Sequence, residues 1–124
     1  MSFTLDHIYT RQEIHEKLGG ELETYLPQKN GKIVCGCFNL ELNPQAPYII
    51  LVGQGDKIES KARQLSIQTK NIPIFIRKAT NEWEYQGNFI CCRYSIDQGE
   101  IDAVNRRSKR EGVTSIIYLQ KTSP

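Results

Sequence analysis

The chain has 124 residues and a mass of 14.3 kDa, with 39% hydrophobic residues, 24% charged residues and a net charge of +2. At about 100–200 residues per domain this is a single domain, 1–124, with no room for the lobes of a multidomain enzyme. No apolar run approaches the roughly 20 residues that cross a bilayer, the first residues lack a basic and apolar leader, and the cysteine content is far below that of a secreted disulfide scaffold, so a small cytoplasmic domain is expected.

Thr10 followed three residues later by Glu13 is a capping box, and Ile14 and Leu18 then share one face, which predicts a helix over 11–18 stopped by Gly19-Gly20. Leu22 to Leu26 reads as a short extended piece ended by Pro27. Asn30-Gly31 is the strongest hairpin signal in the chain, and a strand is expected over 32–38. The two prolines of 39–47 mark a loop, and a loop of that length in so small a domain is often functional. The apolar run 48–52 reads as a central buried strand. Gly53-Gln54-Gly55 forms a tight turn, and Asp56 is placed to cap a helix from Lys57 to about Gln68.

A strand follows over 72–77, with Pro73 confined to its start or to an edge. Residues 78–81 form a turn, 82–85 a strand with Trp83 and Tyr85 on one face, 86–88 a break or bulge, and 89–94 a further strand. A helix is expected over 98–110, a last strand over 113–119 and a tail over 121–124. The strands do not alternate with helices, so a doubly wound parallel sheet is not expected. The fold class is α+β: a mixed, strongly curved sheet or open barrel of five or six strands with three helices outside.

Charge is unevenly placed, −2 over residues 1–41 and +4 over the rest. Its densest stretch is Arg106, Arg107, Lys109 and Arg110, four basic residues in five positions. On a helix, Arg106 and Arg110 share a face, which is either a solvated surface or a dock for a nucleic-acid backbone. Trp83, Tyr85, Phe89 and Tyr94 lie within twelve residues; such aromatics either pack a core or stack on a base. Gly53 and Gly55 lie between a strand and a helix, beside Lys57. They form either a structural turn or an anion site that would serve an enzyme or binder of nucleotides. Cys35 and Cys37, and Cys91 and Cys92, lack zinc-site spacing and are expected to be reduced thiols, at least two of them buried. No catalytic residue, metal site or cofactor is assigned from the sequence.

The opening helix ending in Gly19-Gly20, the run Ile49-Ile-Leu-Val-Gly53, the strand Ile72-Pro-Ile-Phe-Ile76 and the stretch Trp83-Glu-Tyr-Gln-Gly87-Asn-Phe89 together resemble PUA-like domains, the group that holds the EVE, ASCH and SRA modified-base readers. The resemblance runs from about Tyr9 to Leu119 and implies a nucleic-acid-binding module, DNA or RNA, not an enzyme, that accepts a modified base in an aromatic pocket. Base contacts would then come from Trp83, Tyr85, Phe89 and the loop at Asn43, and phosphate contacts from Arg77, Lys78, Arg106, Arg107, Lys109 and Arg110. The bacterial domains that the Trp83–Phe89 stretch resembles occur alone or beside restriction-type nucleases, so the resemblance implies a nuclease or another defence protein as a partner; a pure protein-interaction module in a defence system is the other reading. No membrane partner is expected.

Overall fold

The computed structural model describes residues 3–123. In chain order the elements are β1 (Ile8–Tyr9), α1 (Arg11–Leu18), β2 (Gln28–Lys29), β3 (Lys32–Ile33), β4 (Gly36–Phe38), β5 (Ile49–Val52), α2 (Asp56–Ile67), β6 (Ile72–Ala79), β7 (Glu82–Ser95), α3 (Gln98–Val104) and β8 (Ser115–Ser123). Six strands form one mixed sheet in the order β4-β6-β7-β8-β5, with β1 also on β7; β4 and β6 are parallel and the other pairs antiparallel. This is an α+β fold. β6 covers one side of β7 over 82–89, so β1 at 83–84 and β8 from 88 onward both lie on its other side. Among the described residues no helix is long and apolar enough to cross a membrane.

Local chemistry accounts for most boundaries. Thr10 Oγ1 accepts from the Glu13 amide at 3.1 Å, and Glu13 returns the bond to the Thr10 amide at 2.8 Å. Asn30 and Gly31 have φ of 53° and 76°, the paired positive angles of a type I′ turn joining β2 to β3. Beyond that turn the hairpin continues as a ribbon, through Val34 N–H to Pro27 C=O and Cys37 N–H to Tyr25 C=O. Pro73 sits just before the β4–β6 pairing begins at Ile74.

Strand alternation sorts the core. Ile50, Val52, Ile74, Phe89 and Ile117 face α2, where Ala62 and Leu65 are buried. Phe75 and Tyr85 face the opposite way, onto Ile14 of α1 with Cys35 and Cys37. Leu51 and Ile116 meet Ile101 of α3 on that same side. Lys61, 7% exposed, ties α2 to the preceding loop by donating to Glu21 Oε2 at 2.8 Å and to the Leu26 carbonyl at 3.0 Å.

The structure corrects several sequence expectations. The run 48–52 is not central: β5 is an edge that pairs only with β8, and it is apolar throughout because α2 and α3 cover its two faces. The expected helix 98–110 ends at Val104. Residues 105–112 carry no apolar side chain to hold a further turn against the sheet, and Asn105 builds a turn instead, its Oδ1 accepting the Arg110 amide and its Nδ2 donating to the Arg110 carbonyl. Asp56 is the first residue of α2 and Gly55 occupies the N-cap. The strand 32–38 is split into β3 and β4. The two strands expected over 82–94 are one, and 121–123 extend β8 instead of forming a tail; Pro124 lies outside the described residues. Leu22 to Leu26 forms no strand.

Candidate ligand cleft

The predicted site residues do not converge. Phe89 is fully buried on the α2 side, and no base face reaches it. Trp83 is half-buried on the α1 side, with the Arg11 guanidinium 5.2 Å from its ring centre. Asn43 is 6% exposed and its Oδ1 accepts the Leu51 amide at 2.8 Å. Arg110 turns inward, donating from Nη1 to the carbonyls of Leu42 at 3.0 Å and Leu51 at 2.8 Å. Asn43 and Arg110 therefore satisfy the outer edge of β5 as a further strand would, which is a structural duty. Burial draws the Arg110 guanidinium below its usual range.

The turn at Gly53 and Gly55 has its own structural reasons. A Cβ on Gly53 would stand 3.2 Å from Arg110 Nη2, and Gly55 has φ 130°. The Gly55 amide is already taken by Glu59 Oε2 at 3.0 Å, which places a carboxylate where an anion would sit; Lys57 is exposed on α2. Arg77 folds back onto Ala79 and Thr80, and Lys78 pairs with Glu84 at 3.3 Å. Both line a hollow of about 450 Å³ at the far end of β6. Arg106, Arg107 and Lys109 are exposed on the loop after α3, and Lys109 has φ 52°; they do not form a helical face.

A larger hollow than the one at the far end of β6 lies elsewhere. A cleft of about 860 Å³ opens between the end of α1, the β2–β3 ribbon, the last turn of α2 with the segment leading into β6, and the middle of β7. That volume is in the range of small-ligand sites. Phe3, Leu18, Ile33, Ile72, Pro73 and the Tyr85 ring supply apolar wall; Lys17, Lys32 and Lys70 supply positive charge; Gln64, Asn71 and Asn88 supply carboxamides. Among the described residues no Asp or Glu lines it. One wall is pinned by Gln68, whose Nε2 donates to the Ile33 carbonyl at 3.1 Å while its Oε1 accepts the Ile33 amide at 2.6 Å. The aromatic side is a packed group, with Phe3 edge-on to Phe75 at 4.9 Å and Tyr85 tilted against Phe3 at 5.5 Å. Burial and the nearby Tyr9 push the Tyr85 hydroxyl pKa up, so it stays a donor.

Of the predicted site residues, Tyr85 alone lines this cleft. The rest of its lining carries no local sequence signal: the three lysines stand far apart in the chain and meet only because α1, the ribbon and the end of α2 converge there. Cys35 and Cys37 are buried and free, Cys91 is half-buried and Cys92 exposed. No group of three or more metal-ligating side chains is assembled among the described residues.

The molecule is thus a small α+β domain with one large cationic, aromatic cleft among those described. Over residues 8–123 it matches the family model described as Domain of unknown function (DUF6697), and the chain belongs to that family. No curated protein and no solved structure matches it.

Proposed function

We propose that the chain is a nucleic-acid-binding module that takes a base, plain or modified, into the cleft between α1, the β2–β3 ribbon and α2, and that its sheet is of the PUA-like kind. The observation that carries this reading is the composition of the cleft: an aromatic and apolar wall, carboxamides within it, three lysines and, among the described residues, no carboxylate. A base offers a flat face to the apolar wall and hydrogen-bonding edges to the carboxamides, while the flanking phosphates need cations. The exposed Arg106, Arg107 and Lys109 are a second source of backbone contact, outside the cleft. The pocket differs from the one expected near Asn43, because Phe89 and Asn43 are committed to the core and to the β5 edge.

Fluorescence anisotropy with short DNA and RNA oligomers, with and without modified bases, at about 50–200 mM salt tests the reading. Each of Lys17→Glu, Lys32→Glu and Lys70→Glu is expected to weaken binding and to lower the salt slope by about one. Absence of binding at the lowest salt, or affinity untouched by all three reversals, overturns it.

A further inference from the structure

We propose that Asn88 is the residue with which the cleft reads its ligand, that Tyr85 positions it, and that the bulge in β7 brings the two together. The inference rests on the cleft being a base pocket and adds what distinguishes one base from another.

In a regular strand, residues three apart point to opposite faces. Tyr85 and Asn88 are three apart, yet the Tyr85 hydroxyl donates to Asn88 Oδ1 at 2.8 Å. The register explains this. Phe75 pairs with Tyr85 and Ile74 with Gly87, so Gln86 is an extra residue in β7, and Gly87 takes φ 113° to accommodate it. That insertion reverses the alternation beyond it. Asn88 comes to the side of Tyr85, whereas Phe89 turns to the α2 core.

The bulge therefore has a specific product, a carboxamide placed in the cleft wall and held by a buried phenol. The backbone carbonyl of Asn88 accepts from Thr122 Oγ1 at 3.1 Å, which fixes the residue from the β8 side. With Oδ1 occupied by Tyr85, Nδ2 has no hydrogen-bond partner among the described residues. It is a donor offered to the cleft, and it matches an acceptor on a base edge, a carbonyl oxygen or a ring nitrogen. Tyr85 does not read the ligand's edge itself; its hydroxyl sets which end of the carboxamide faces outward.

The experiment compares single-stranded oligomers identical but for one central base, by anisotropy, with the wild-type chain and the variants Asn88→Ala, Asn88→Asp and Tyr85→Phe. Circular dichroism checks that each variant is folded; Tyr85→Phe keeps the ring and the packing. The wild type is expected to discriminate between central bases. Asn88→Asp, which replaces the donor by a carboxylate, is expected to lower affinity for the preferred base by about tenfold. Tyr85→Phe is expected to shrink the ratio between preferred and other bases, which a merely structural tyrosine would not do. Binding without base preference in the wild type, or the same preference in Asn88→Ala and Tyr85→Phe, overturns this proposal and leaves the cleft reading standing. Failure of the wild type to bind any oligomer overturns both.

Discussion

Asn43 shows how a polar residue in a proline-containing loop acquires a structural task. The β5 edge exposes the amide and carbonyl of Leu51 away from β8, and in a buried position neither can be left unpaired without cost. Asn43 takes the amide and Arg110 the carbonyl, from segments on either side of the strand in sequence. Asn43→Ala removes the acceptor and leaves a buried donor, so a loss of about 1–3 kcal/mol is expected. Urea unfolding measures it as a lower midpoint with an unchanged slope. Asn43 and Arg110 both carry signals that a sequence reader assigns to binding, one in a long loop and one in a basic cluster. Their actual partners are backbone groups of a distant strand, which no local pattern reveals.

Among the elements, α3 is seated by a network of charged and polar side chains. Only seven residues long, it buries Ile101 and is held by Glu100, which accepts from both Arg93 nitrogens, from Ser95 at 2.7 Å and from Tyr118. The Arg93 guanidinium also lies 4.9 Å from the Tyr118 ring centre. The hydrogen bonds from Arg93, Ser95 and Tyr118 hold the Glu100 carboxyl down at about 2. Since the folded value is below the ordinary 4.5, this contribution to stability is complete above about 4.5 and is lost as pH falls toward 2. Glu100→Gln is expected to flatten that part of the acid-unfolding profile, followed by circular dichroism, with little effect at neutral pH on its slope. The end of α3 illustrates the converse of this docking. Four basic residues in five positions have the spacing of a helix face, but with no apolar residue to bury over 105–112 the helix stops at Val104 and Asn105 folds the chain into a turn.

At the scale of the whole molecule, one sheet carries two layers of packing. The α2 side is a single cluster that runs from Phe38 through Ile74, Phe89 and Ile117 to Ile50, so it joins strands from every part of the sheet. The expected consequence is one cooperative unfolding transition. Amide hydrogen exchange is expected to be slowest in the middle of β6, β7 and β8 and much faster in 105–112, where the amides of Arg107, Ser108, Glu111 and Gly112 have no partner among the described residues. Two separated transitions in urea, or protection in 105–112 equal to that of β7, would contradict this account. The cleft belongs to this scale as well, because its walls come from five stretches of the chain and are fixed only by the way α1 and α2 sit on opposite faces.

The sequence by itself determined what nearest neighbours decide. The Thr10–Glu13 capping box, the Asn30-Gly31 turn, the bulge near Gly87 and the strand runs around Ile50, Ile74 and Ile116 all follow from backbone preference and periodicity within a few residues. From these the α+β class and the three helices follow. Tertiary structure decided which strand lies at an edge, where α3 ends, which aromatics are core and where the cleft opens. Each of those outcomes depends on what covers a surface or satisfies a buried group from far along the chain. Phe89 and Tyr85 have the same local pattern, and a single extra residue between them sends one into the α2 core and the other to the cleft. The three lysines acquire a common function only through packing, since charges far apart in sequence share a site only when the helices and the ribbon that carry them have been brought together.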